Sequence, residues 1–141
     1  MTLPGTFASV AELDEFMTEP SPELVADLAR APGDLLILGV AGKMGLTLAR
    51  LAKRADPARR VIGVARFSSP AARDELEAAG IETIACDLLD RAAVEALPRA
   101  ENVLFMAAMK FGASGNERRA RRDEADDRRG APQTPPRARR R

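Results

Sequence analysis

Two periodicities alternate along the chain from Gly33 onward. Short runs of consecutive apolar residues are separated by stretches in which apolar residues recur at three- and four-residue spacing. The first kind reads as strands buried on both faces and the second as amphipathic helices. Leu35-Leu36-Ile37-Leu38 is a buried-strand run. Residues 43–55 follow as a helix, with Met44, Leu48, Leu51 and Ala52 on its apolar side. Val61-Ile62-Gly63-Val64-Ala65 is a second strand. Residues 70–79 form a helix ended by Gly80, Ile81 to Cys86 a third strand, Arg91 to Leu97 a short helix, and Val103 to Ala107 a fourth strand. This alternation argues for an α/β fold built on a parallel sheet with right-handed crossovers.

Ahead of that body, Val10, Leu13, Phe16 and Met17 are spaced for a helix after Ser9. Leu24, Val25, Leu28 and Ala29 are spaced for another after Ser21-Pro22, with Pro20 between the two. Residues 1–32 are expected to be a helical lead-in that packs on the body and carries no chemistry.

After Phe111 there is no Leu, Ile, Val, Phe or Met. Such a segment cannot bury a core, so the ordered unit is expected to span 33–117 and residues 118–141 to be a disordered Arg-rich tail. That tail holds ten Arg against four Asp or Glu, a net +6, which leaves −5 on residues 1–117 within a chain of net +1. Arginine density supports binding to nucleic acid or an acidic partner through charge neutralisation. Against this stand Asp123, Glu124, Asp126 and Asp127, which interrupt the run, and the lack of any aromatic residue for base stacking. The composition is also what a GC-rich gene yields when read in a shifted frame, and nucleic acid is the less favoured partner.

Composition narrows the chemistry further. The 141 residues contain no His, no Tyr and no Trp, so imidazole bases, histidine metal ligands and phenol acids are closed to this chain. The single Cys86 cannot form an intramolecular disulfide, and with no histidine to activate it, it reads as a small buried residue. No stretch approaches the ~20 apolar residues needed to span a bilayer. With no apparent secretory leader, a cytoplasmic protein without membrane contact is expected.

The most informative stretch is Leu38-Gly39-Val40-Ala41-Gly42-Lys43-Met44-Gly45, with glycines in the pattern G-x-x-G-x-x-G directly after a strand and opening a helix. Gly39 would permit the tight turn, Gly42 would let a pyrophosphate reach the backbone, and Gly45 would allow close packing of helix on strand. Free N–H groups at the helix start would face the phosphates. The candidate pyrophosphate contacts are thus Gly39, Ala41, Gly42, Lys43, Met44 and Gly45. It is not a P-loop, because Met44 follows the lysine.

The second strand ends Val64-Ala65-Arg66-Phe67-Ser68, with no carboxylate for the adenosine ribose. Arg66 and Ser68 could instead meet a 2′-phosphate, which favours NADP slightly over NAD; the alternative is a solvated loop arginine. After the third strand, Cys86-Asp87-Leu88-Leu89-Asp90 places Asp87 and Leu88 beside the expected adenine position. Capping is the alternative for Asp87 and the favoured role for Asp90. After the fourth strand, small residues at Ala107 and Ala108 would let the cofactor pass close to the backbone. Lys110 is more simply a solvated lysine, and Met106 and Met109 are expected to pack.

Together these residues resemble the extended short-chain dehydrogenase/reductase superfamily, in particular NAD-dependent epimerases/dehydratases, over roughly Gly33 to Glu117. The resemblance rests on Gly39, Gly42 and Gly45, on the Cys86-Asp87-Leu88-Leu89-Asp90 segment, and on the Ala107-Ala108 pair. It implies a doubly wound sheet that binds NAD or NADP, present here as a partial Rossmann unit of four parallel strands in the order 3-2-1-4 with helices on both faces, and in the family followed by a smaller region for sugar-nucleotide or related substrates. It also implies catalysis by a Tyr-x-x-x-Lys pair with a nearby Ser or Thr. This chain departs there: it has no tyrosine, no legible fifth or sixth strand, and no substrate region. Only cofactor contacts carry over. The resemblance describes the N-terminal piece of such an enzyme, its reading frame changed near Asn116-Glu117, inactive alone and prone to self-association through an exposed strand edge. The rival readings are a non-catalytic sensor of NADP(H) and a binding protein that uses the basic tail.

Overall fold

A computed structural model describes residues 5–108. Four parallel strands, β1 (Leu35–Leu38), β2 (Val61–Ala65), β3 (Glu82–Ala85) and β4 (Asn102–Phe105), form one sheet in the order β3-β2-β1-β4. The connecting helices are α3 (Lys43–Ala55), α4 (Pro70–Ala78) and α5 (Arg91–Glu95), preceded by α1 (Val10–Met17) and α2 (Pro22–Ala29). Both the α/β class and the strand order agree with the sequence reading. The expected tail at 118–141 lies outside the described residues, as do Lys110 and Met109. Among the described residues no helix is long and apolar enough to cross a membrane.

Register sets the two faces of the sheet. Leu35 pairs with Val61 and Ile37 with Gly63; these odd positions of β1 join Val40, Ala49, Ala52, Ala65, Leu76 and Ile81 in one apolar cluster under α3 and α4. Leu36 pairs with Ile62 and Leu38 with Val64, and this opposite face gathers Cys86 together with Ala93, Val94 and Leu97 from α5 and its exit. With both faces covered, a continuous apolar run is the pattern a parallel strand requires. Cys86 is buried there as a small apolar residue.

The helix starts follow the sequence. Ser9 accepts from the Glu12 N–H at 3.1 Å, Ser21 from the Leu24 N–H at 3.2 Å, and Asp90 from the Ala92 and Ala93 N–H groups at 3.0 and 3.2 Å. Each satisfies donors that have no partner within the helix.

Several boundaries and faces differ from expectation. Strand β3 is shorter than Ile81–Cys86 because only Ile62–Ala65 of β2 lies beside it, although the Cys86 N–H still reaches the Ala65 carbonyl at 3.0 Å. Strand β4 starts at Asn102 and ends at Phe105, since its partner β1 turns away at Gly39. Helix α5 ends at Glu95, with Pro98 blocking continuation past Leu97. Met44 does not lie on the apolar side of α3 but is 72% exposed. The buried positions are Gly45, Ala49, Ala52 and Ala55, while Leu48 and Leu51 flank them half-buried. The helix meets the sheet through its smallest residues because Gly45 lies against the Val40 backbone, too close for any side chain.

The lead-in helices contact α3, and the expected stripe is covered only in part: Leu13, Phe16, Leu24 and Leu28 are half-buried, whereas Val10, Met17 and Val25 are exposed. Polar ties join α1 to α3: Glu15 receives Arg50 at 2.8 Å and Arg54 at 2.9 Å, and Arg54 also donates to the Thr18 hydroxyl at 2.7 Å. The buried Arg59, just before β2, donates to the Leu28 carbonyl of α2 at 2.7 Å.

Candidate functional site

Because all four strands are parallel, the segments after β1, β2, β3 and β4 emerge at one edge of the sheet, where ligands of open α/β sheets are held. That edge carries the candidate cofactor contacts: Gly39 to Gly45, Arg66 and Ser68, Asp87 and Leu88, and Ala107 and Ala108. Strands β1 and β4 are adjacent although β2 and β3 intervene in the chain, so the topological switch point falls between Gly39 and Ala107.

The three glycines are required for three different reasons. Gly39 has φ +85, and a Cβ there would lie 2.6 Å from the Ala107 nitrogen, so both its conformation and its contact with the end of β4 exclude a side chain. Its N–H and that of Val40 donate to the Val64 carbonyl at 2.8 and 3.1 Å, which ties the turn to the end of β2. A Cβ on Gly45 would overlap the Val40 backbone, 2.7 Å from its carbonyl carbon. Gly42 differs from both. Its φ is −75, open to any residue, and a Cβ would meet nothing nearer than the Gly39 carbonyl oxygen at 3.6 Å. Neither backbone strain nor packing within the chain demands a glycine at 42, and the space beside it is open.

Gly42 is also the N-cap of α3 and supplies no side-chain cap. Among the described residues the Lys43 and Met44 N–H groups find no acceptor, and Ala41, Gly42, Lys43 and Met44 are all exposed. A bare helix N-terminus beside open space fits an anionic group that approaches the backbone. The residues present therefore fit a dinucleotide pyrophosphate.

Beyond β2, Arg66 and Ser68 are exposed on either side of Phe67. Phe67 has φ 49, the one non-glycine residue with positive φ among the described residues, and its ring packs on the cluster under α3 and α4. A bulky residue in that conformation carries a cost of order ~1 kcal/mol or more, held by the surrounding contacts. It pins the loop so that its two polar neighbours stand out at the sheet edge. Beyond β3, the exposed Asp87 accepts the Leu89 N–H on Oδ1 at 3.0 Å, leaving Oδ2 without a partner among the described residues. Leu88 is half-buried against the Leu36 and Ile62 face. Ala107 is half-buried against Gly39 and Ala108 is exposed, while Met106 packs under the sheet edge.

Two residues that shape the site escaped the sequence reading. Val40, fully buried, fills the space left by Gly45 on one side and by Gly63 on the other, where a Cβ would meet Val40 Cγ1 at 2.9 Å. The glycine inside β2 was the available signal, since a strand glycine marks a close approach. Phe67 offered no comparable signal, because nothing in its identity requests a positive φ.

A family model described as NAD dependent epimerase/dehydratase family matches residues 35–126 of the chain. The match begins at the first residue of β1 and takes in every candidate residue above. No curated protein and no solved structure matches the chain.

Proposed function

The chain belongs to the NAD dependent epimerase/dehydratase family, whose cofactor is a nicotinamide dinucleotide, and on that premise we propose a residue-level binding mode for it. The pyrophosphate lies against the turn Gly39, Ala41, Gly42 and the first turn of α3, where the Lys43 and Met44 N–H groups donate to its oxygens and Gly45 keeps the helix close to the strand. The observation that carries this reading is Gly42, a glycine whose side the fold leaves open. Arg66 and Ser68 receive the 2′-phosphate of NADP, the guanidinium by charge-assisted hydrogen bonds and the serine through its hydroxyl. With alanine and arginine where an NAD-selective strand end carries a carboxylate, NADP is preferred to NAD. Asp87 accepts the adenine amino group on its free Oδ2, and Leu88 lies beside the ring. Ala107 and Ala108 leave room for the dinucleotide to cross the switch point.

When bound, the nicotinamide supplies hydride transfer; the residues here orient it and hold its charge. The 141 residues contain no tyrosine, so the proton donor of the family's reaction is not among them, and the chain acts as a cofactor-binding unit that is inactive alone. What supports this is the residue inventory together with the complete switch point. The direct test is titration of the protein with NADPH and with NADH, followed by nicotinamide fluorescence. The expected result is saturable binding with NADPH the tighter ligand. Absence of binding by either would overturn the reading, and equal affinities would overturn the role of Arg66.

A further inference from the structure

The two edges of the sheet are built differently. At β3, Glu82 is held by Arg60 at 2.9 Å, and Thr83 is covered by Arg73 and Glu77, so charged side chains guard the edge. At β4, which among the described residues pairs only with β1, residues 102–108 read Asn-Val-Leu-Phe-Met-Ala-Ala, with no charge and no proline. Val103 is 51%, Leu104 37% and Phe105 69% exposed. An uncharged, apolar edge strand is a template for another strand.

We propose that β4 is a homodimer interface, in which two copies pair their β4 strands antiparallel about a two-fold axis through Leu104. The backbone directions specify this register. Asn102 and Met106 donate their N–H groups to the Asp34 and Leu38 carbonyls at 3.1 and 2.7 Å, so even-numbered residues turn their backbone toward β1. Val103 and Phe105 therefore present theirs to the open edge. A dyad perpendicular to the sheet must pair residues of the same face. Centred on Leu104, it sets Val103 opposite Phe105 of the second copy, and the reverse, as two pairs exchanging backbone hydrogen bonds.

The side chains are complementary in the same register. Val103 and Phe105 share the face of Leu36 and Leu38, where α5 packs over Leu36, Ile62 and Val64 and, among the described residues, nothing covers the β4 side. The dyad gathers four apolar side chains there and sets Leu104 against its own copy on the other face. After Ala108 the sequence holds two large apolar residues, Met109 and Phe111, and from 112 to 141 no Leu, Ile, Val, Phe or Met. A second copy supplies a complete apolar strand in matching register, and an isologous pairing closes at two. The cofactor edges of the two copies then point in opposite directions, so dimerisation does not depend on dinucleotide.

The test uses the full chain in sedimentation velocity across a concentration series, without cofactor. The expected result is a monomer–dimer equilibrium, abolished in Leu104→Lys, with far-ultraviolet circular dichroism confirming that the variant is folded. A strictly monomeric wild type, open-ended assembly, or an unaffected Leu104→Lys dimer would each overturn the proposal. Cysteine trapping decides independently of that variant's folding. In a Cys86→Ala background, Leu104→Cys places two thiols across a non-hydrogen-bonded pair, about 4.5 Å between Cα atoms and within disulfide reach. It should form a covalent dimer on mild oxidation, while Val103→Cys should not. Equal trapping at both positions, or none at 104, would refute the register.

Discussion

Gly39 and Ala107 touch where the chain leaves β1 and where it leaves β4: a Cβ at 39 would lie 2.6 Å from the Ala107 nitrogen and 2.7 Å from its Cα. Backbone against backbone leaves no flexible side chain to yield. The contact joins the glycine turn to the end of β4 and so fixes both walls of the switch point.

Substitution of Gly39 is consequently expected to act on the fold. Gly39→Ala combines a left-handed φ with an overlap onto backbone and should destabilise by roughly 1–3 kcal/mol. Urea denaturation would register it as a lowered midpoint at unchanged slope. An unaltered midpoint would mean that the β1–β4 contact is looser than described.

Gly42 predicts the opposite partition. Its φ of −75 and open surroundings admit a serine, which is a good N-cap and should leave stability unchanged or raise it by a few tenths of a kcal/mol. The same side chain would occupy the pyrophosphate space and compete for the first-turn N–H groups. NADPH affinity should fall about tenfold or more, at least about 1.4 kcal/mol. The bulkier Gly42→Val should abolish binding. If Gly42→Ser binds as wild type does, the pyrophosphate is not held at this turn.

Arg66 tests selectivity separately from binding. Arg66 is exposed, with Phe67 beside it holding the loop. Arg66→Ala should weaken NADPH by about tenfold, since hydrogen bonds to charged groups contribute ~1.5–3 kcal/mol, and leave NADH unchanged. The ratio of the two affinities is the readout. A parallel loss for both ligands would indicate a contact to the shared part of the dinucleotide instead.

Stability should fall in acid partly through Glu77. The Thr83 hydroxyl, followed by Arg73, holds its carboxyl below the usual carboxylate range. A depressed folded-state value means that the stabilisation is present above the unfolded-state pKa and is lost as pH falls through the folded one. Glu77→Gln should therefore lower stability near neutrality and flatten the dependence across the acid limb. Chemical denaturation over a pH series would show an unflattened limb if the Thr83 and Arg73 contacts carried no weight.

Local structure was legible in the chain to a large degree. Consecutive apolar runs marked β1, β2 and β4, the mixed segment Ile81 to Cys86 marked β3, Ser9, Ser21 and Asp90 marked helix starts, and the glycine spacing placed the candidate site at a strand-to-helix turn. These signals are local: a buried strand, a cap and a tight turn each depend on residues within a few positions of one another. That the sheet is parallel was legible too, because alternating strands and helices require crossover connections, whereas the order β3-β2-β1-β4 was expected from the resemblance that the glycine turn carries.

What only the tertiary structure decided are relations between residues far apart in sequence. The seam of α3 runs through Gly45, Ala49, Ala52 and Ala55 and leaves Met44 in solvent, because Gly45 lies directly against the Val40 backbone, whose side chain in turn fills the space at Gly63. The lead-in helices are tied down by Glu15 to Arg50 and Arg54, pairs that no periodicity announces. Phe67 combines a left-handed backbone with a ring packed on the core, a pairing that no local pattern announces. Periodicity along a chain specifies which elements form, whereas close packing between elements decides which atoms of each element touch.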